Sequence, residues 1–183
     1  MSQTSLGGRL YGQEVPPLSS GAILERALAL RKTCDLETSR YFPIGRVFEC
    51  LDVILEGASF EVLFNDQLGS IHGLTHPNRR LIQLREDIYD GACNNNPRDR
   101  FTLAHELGHL LLHRDIAYAR VDPNNPPVIY RNSEWQADKF ASYLLMPPRL
   151  LGACTSIHQA VDEFKISYEA VNVRRDEIGK ATS

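Results

Sequence analysis

Apolar positions along the chain recur with helical period in some stretches and with strand-like density in others. Ile23, Leu24, Ala27, Leu28 and Leu30 give a wide apolar face to a helix over residues 21–33. Val47, Leu51, Ile54 and Leu55 predict a second helix over 43–56, stopped at Gly57. Strands follow at 59–64, where aromatic and β-branched residues cluster, at 70–74 after the turn-like Asn65 and Asp66, and at 80–84 around Leu81 and Ile82. Residues 91–97 read as a loop with Asn94, Asn95 and Asn96 at its tip. Phe101, Ala104, Gly108, Leu111 and Leu112 then form an apolar stripe of helical period over 100–113. Asn96, Pro97 and Asp99 supply a cap, a first-turn proline and an acid three residues after the cap. Pro123, Pro126 and Pro127 make 121–130 a loop. Another helix runs from Asn132 or Ser133 to Met146, ending before Pro147 because proline disfavours helix in the residue ahead of it. Shorter helices over 157–164 and 167–178 close the chain. The order predicts an α+β fold, with a small, mostly antiparallel three-stranded sheet packed on a helical core.

Residues 1–20, with scattered serines and threonines ahead of Pro16 and Pro17, read as an extended or mobile arm. Residues 21–183 show no repeat, linker or second composition regime, so one domain is expected. Composition adds little to this picture. At 183 residues, 43% hydrophobic and 23% charged, the chain is ordinary for a soluble globular protein. A net charge of −3 gives no general reason to expect direct nucleic-acid binding. No apolar run approaches the ~20 residues of a membrane span, and residues 1–20 lack the build of a signal peptide. Cys34, Cys50, Cys93 and Cys154 are scattered without a C-x-x-C pair. They read as reduced thiols of a cytoplasmic protein rather than as metal ligands.

The chemistry lies in the 100–113 helix, which reads R-F-T-L-A-H-E-L-G-H-L-L-L-H. Histidines four apart share one helical face, so His105 and His109 can direct ring nitrogens at one metal ion. Glu106 lies about 100° further round, off the ligand pair but in reach of a water held by that ion. Zinc in hydrolytic sites takes three protein ligands and lowers the pKa of such a water to roughly 7. A carboxylate beside it can take its proton and deliver it to a leaving amine. H-E-x-x-H on a helix is therefore a metalloprotease signal. A third ligand is offered by Glu134, which with Asp138 forms E-x-x-x-D on the following helix. Their face continues through Ala141 and Leu145 towards the core, where carboxylates need compensation. A metal compensates Glu134, and a hydrogen bond to the far nitrogen of a ligand histidine compensates Asp138. The helix dipole alone explains Glu134 about as well, but it explains Asp138 poorly. Gly108 would let the two helices approach closely.

These two motifs, with E-W-Q-A-D-K-F-A-S-Y-L-L-M-P as the second and F-K-I-S-Y-E-A-V-N-V-R-R near the end, resemble the ImmA/IrrE family of zinc-dependent metallopeptidases over residues 43–179. The resemblance implies a zincin-like core, Zn2+ on His105, His109 and Glu134, and Glu106 as general base. The family often has Asn where Asp138 stands, so Asp138 departs towards the gluzincin form, in which that residue orients a histidine. It further implies a protein partner, a helix-turn-helix (Xre-type) repressor that is cleaved to derepress its genes in phage, mobile-element or stress regulation. The alternative is a zinc-containing antirepressor that binds and sequesters the repressor without cutting it, and a third reading is a small-amide hydrolase. The segment before the sheet is too short for a complete DNA-binding helix-turn-helix of its own. Sites of two histidines and a glutamate also accept manganese or cobalt.

His113 lies one more turn along the same helix, and three histidines in a row cannot enclose a tetrahedral ion. A cationic cap on the helix C-terminus is the expected role. His72, His76 and His158 read as ordinary residues, and Arg79 and Arg80 as a solvated strand start. Tyr130, Arg131, Tyr143 and His158 are the residue types that could stabilise an oxyanion. Trp135, Phe140, Leu144 and Met146 read as core, and an edge of the sheet could receive an extended substrate as an added strand.

Overall fold

The computed structural model describes residues 12–116, 119–120 and 128–181. In chain order its elements are β1 (Gln13–Glu14), α1 (Ser20–Thr33), α2 (Ile44–Glu49), α3 (Leu51–Ile54), β2 (Ser59–Leu63), α4 (Asn65–Leu68), β3 (Gly73–His76), β4 (Leu81–Arg85), α5 (Glu86–Cys93), α6 (Pro97–Leu112), β5 (Ala119–Arg120), α7 (Ser133–Leu145), α8 (Pro148–Gly152), α9 (Ile157–Phe164) and α10 (Tyr168–Ala181). Helix α6 is the centre. Strands β3 and β4 pack on one part of its surface and α7 on another, while α1 lies against α7. Leu103, Ala104, Leu107, Phe140, Ala141 and Leu144 carry this contact and are fully buried.

Local chemistry sets both central helices. Asn96 accepts hydrogen bonds from the backbone N–H groups of Arg98 and Asp99, with Pro97 in the first turn of α6. Asn132 does the same for α7 through Trp135 N–H, and α7 ends at Leu145, ahead of Pro147.

The α+β class holds, but the sheet is mixed rather than mostly antiparallel. Its order is β2-β4-β3. β3 pairs antiparallel with β4 after the turn at Pro77–Arg79, whereas β2 runs parallel to β4. The helical turn α4, at the site read as a simple turn, carries the chain past the future position of β4, so β4 enters between its neighbours. Strand β3 begins at Gly73 instead of residue 70.

Other elements also depart from the pattern. The helix expected over 43–56 breaks at Cys50 into α2 and α3, which leaves Phe48 and Leu51 buried and Val53 exposed. Gly57, read as its stop, has a φ of +71°, a conformation costly to any other residue. Helix α5 reaches Cys93, into the segment expected to be loop, and α8 follows directly on Pro147. Of the loop at 121–130, residues 121–127 lie outside the described residues, and Ile129–Arg131 form a 3-10 turn. Of the arm, residues 1–11 lie outside the described residues. Strand β1 pairs antiparallel with β5, and Val15 is buried with its N–H on the Arg131 carbonyl. Among the described residues no helix is long and apolar enough to cross a membrane.

Candidate metal centre

His105 and His109 stand one turn apart on α6, and Glu134 reaches them from the first turn of α7. The two Nε2 atoms are 3.0 Å apart. Glu134 places Oε2 3.3 Å from His105 Nε2 and Oε1 3.4 Å from His109 Nε2. Donor atoms held about 2.0–2.1 Å from one tetrahedral ion stand about 3.3 Å from each other. The three groups therefore fit a zinc-sized cation, and among the described residues they are the cluster able to hold one.

The ring orientations agree with this. Both Nε2 atoms face the common point, and both Nδ1 atoms face away, His105 Nδ1 to Asp138 Oδ1 at 2.8 Å and His109 Nδ1 to His113 Nδ1 at 2.9 Å. Burial disfavours charge on His105, yet its bonds to Asp138 and Glu134 outweigh that and raise its pKa to about 10. Burial also opposes the charged form of Glu134, and the bonds from His105 and His109 hold its pKa below the ordinary carboxylate range all the same. Positive charge is favoured at the focus of these groups, where a cation would replace a proton.

Glu106 is only 2% exposed. Thr75 Oγ1 on β3 lies 2.8 Å from Glu106 Oε2 and 3.0 Å from its carbonyl oxygen, so its hydroxyl can donate to either. A Cβ on Gly73 would stand 2.8 Å from Glu106 Cγ, so the glycine makes room for the carboxylate. Glu106, His109 and Glu134 open on a cleft of about 480 Å3, walled by β3 and its following turn and bordered by Gly12 and Gln13.

Several expectations for single residues change. Asp138 meets His105, but its side chain is 57% exposed, so the E-x-x-x-D face is not wholly turned to the core. His113 is not a cationic cap. It is fully buried, its ring lies on His109 and Gln136, and burial, with His109 nearby, pushes its pKa down to about 3. Neither Tyr130, Arg131, Tyr143 nor His158 lines the cleft. Tyr143 lies under Arg174, His158 pairs with Tyr168, and Arg131 bonds Glu14. His76 and Arg79, set aside in the sequence, do line it. Thr75, Gly73 and Gln136 carried no signal of their own, because each meets its partner only across the fold.

A family model for the IrrE N-terminal-like domain, peptidase family M78, matches residues 60–175. The chain belongs to this family. M78 is a family of metallopeptidases, and the ImmA/IrrE resemblance of the two motifs is accordingly one of descent. The matched span contains β3, α6 and α7, and with them His105, Glu106, His109, Glu134 and Asp138 of the candidate M78 centre. No curated protein matches the chain. Among solved structures, a Mycobacterium tuberculosis transcriptional regulator matches with a TM-score of 0.57 at 15% identity, over 85% of this chain and 46% of that one. At that identity the likeness is one of fold, and the chain spans less than half the length of that protein.

Proposed function

We propose that this M78 protein is a zinc-dependent endopeptidase of the cytoplasm that cleaves a helix-turn-helix (Xre-type) repressor and so derepresses its genes. The observation that carries the reading is the convergence of His105 Nε2, His109 Nε2 and a Glu134 carboxylate at tetrahedral spacing, with Glu106 alongside. Zn2+ held there would polarise a scissile carbonyl and acidify the attacking water. Glu106 would take a proton from the attacking water and pass it to the departing amine, with Thr75 fixing the direction of its carboxylate. Asp138 holds His105 by Nδ1 and keeps its Nε2 turned to the site. β3 is an edge strand on the cleft, so an extended substrate segment can add to it as a further strand. A structural neighbour that is a transcriptional regulator supports a regulatory setting.

The test is to incubate zinc-loaded wild type and Glu106→Gln with the repressor encoded nearest this gene and to record intact masses. Two fragments from wild type are expected, with the variant slower by roughly 10²–10⁴-fold. A stable complex without fragments in both samples would replace cleavage by sequestration.

A further inference from the structure

A histidine that binds metal through Nε2 must carry its hydrogen on Nδ1 and give it to an acceptor. At His105 the acceptor is the Asp138 carboxylate. At His109 it is another imidazole, and the Nδ1 atoms of His109 and His113 face each other at 2.9 Å. Only one of these nitrogens can hold the hydrogen between them.

The far end of the chain of contacts fixes the other nitrogen of His113. The Gln136 amide nitrogen lies 2.9 Å from the Pro16 carbonyl oxygen and 2.8 Å from that of Tyr130. Carbonyl oxygens only accept, so the NH2 group faces them and Oε1 faces the opposite way, 3.1 Å from His113 Nε2. Oε1 also only accepts, so His113 Nε2 carries a hydrogen. Metal binding through His109 Nε2 puts a hydrogen on His109 Nδ1, so His113 satisfies both neighbours with one N–H, on Nε2. Its Nδ1 is therefore the acceptor, and the shared hydrogen sits on His109 Nδ1. His109 Nε2 is left with a lone pair aimed at His105 and Glu134.

We propose that His113 and Gln136 are positioning residues, a buried relay that fixes the tautomer of His109 for metal binding. The relay rests on the reading of His105, His109 and Glu134 as metal ligands. It supports one ligand histidine with a neutral acceptor while the exposed Asp138 supports the other with an anion, so the centre gains a single added negative charge. It ends on the backbone of Pro16 and Tyr130, which makes the seating of the residues before α1 part of the support for a ligand on α6.

The test uses the full chain with 15N-labelled histidine, without metal and with Zn2+, read by long-range 1H–15N correlation. Zinc-loaded wild type is expected to show His113 neutral with its hydrogen on Nε2, and His109 with its hydrogen on Nδ1. Competition with a chromophoric chelator then compares zinc affinities. His113→Phe, which removes the acceptor, is expected to lose about 10–100-fold. His113→Gln can accept from His109 and donate to Gln136, and should recover most of that loss. A charged His113, or one with its hydrogen on Nδ1, overturns the relay, as does a folded His113→Phe that binds zinc like wild type. If the Phe variant fails to fold, the wild-type spectrum still decides. Wild type that takes up no zinc defeats the ligand assignment as well, whereas zinc bound with the other tautomer defeats the relay alone.

Discussion

Glu106 owes its position to strand β3. Thr75 bonds its carboxylate, and Gly73 leaves the space its side chain fills. A methyl group at residue 73 would come within 2.8 Å of Glu106 Cγ and 3.1 Å of its Oε1. Displacing a reacting group by about 1 Å can cost on the order of 10²-fold. Gly73→Ala is therefore expected to lower kcat by roughly 10–100-fold at unchanged zinc content, measured on a peptide containing the cleaved bond. Turnover like wild type would show that this fit does not govern Glu106. The contrast in legibility at this scale is one of distance along the chain. His105, Glu106 and His109 share one helix, and helical geometry alone relates them. Thr75 and Glu106 are 31 positions apart and His113 and Gln136 are 23 apart. No periodicity links such pairs, so the sequence reads His113 as a cationic cap, whereas packing against α7 buries it.

The metal centre exists only if α6 and α7 stay close, and Gly108 permits this. A Cβ there would stand 3.2 Å from the Cα and carbonyl oxygen of Ala137 and from Phe140 Cδ1. Alanine asks these neighbours to yield a few tenths of an ångström, whereas a leucine side chain requires the helices to part. Parting moves Glu134 from the histidines. Gly108→Leu is expected to weaken zinc binding by at least about tenfold, and Gly108→Ala by much less, in a chelator competition. Equal affinities for both variants and wild type would mean that helix spacing does not set the site. Both helices were legible because their signals are local, with Asn96 and Pro97 opening one, and Asn132 and Pro147 bounding the other. The sheet was less so. Strand direction depends on where α4 delivers the chain, and nothing in the alternation of residues 59–84 records that path.

The whole molecule is tied together by buried arginines that answer backbone carbonyls. Arg100 lies in the first turn of α6 and is fully buried. It donates to the carbonyl oxygens of Phe42, Phe164 and Lys165, and its guanidinium lies 4.7 Å from the Tyr41 ring. It thus joins the helix of the H-E-x-x-H motif to the segment before α2 and to the end of α9. Arg31 likewise joins α1 to the carbonyl oxygens of Ser39 and Leu144. Charge-assisted bonds contribute about 1.5–3 kcal/mol each, and unanswered buried carbonyls add a penalty. Arg100→Met is accordingly expected to lose at least about 3 kcal/mol of stability in urea unfolding. A loss below about 1 kcal/mol would show that water takes over those carbonyls. Arginine heads the motif R-F-T-L-A-H-E, yet its role is invisible there because its partners lie far along the chain. All of this architecture brings three ligand atoms to one point, and the most direct test is zinc bound per chain at equilibrium. Metal-stripped wild type, Glu106→Gln and Glu134→Gln would be titrated side by side. One tightly held zinc is expected in wild type and Glu106→Gln, with a large loss of affinity in Glu134→Gln. Zinc held equally by Glu134→Gln, or not held by wild type, would contradict a metal centre built from His105, His109 and Glu134.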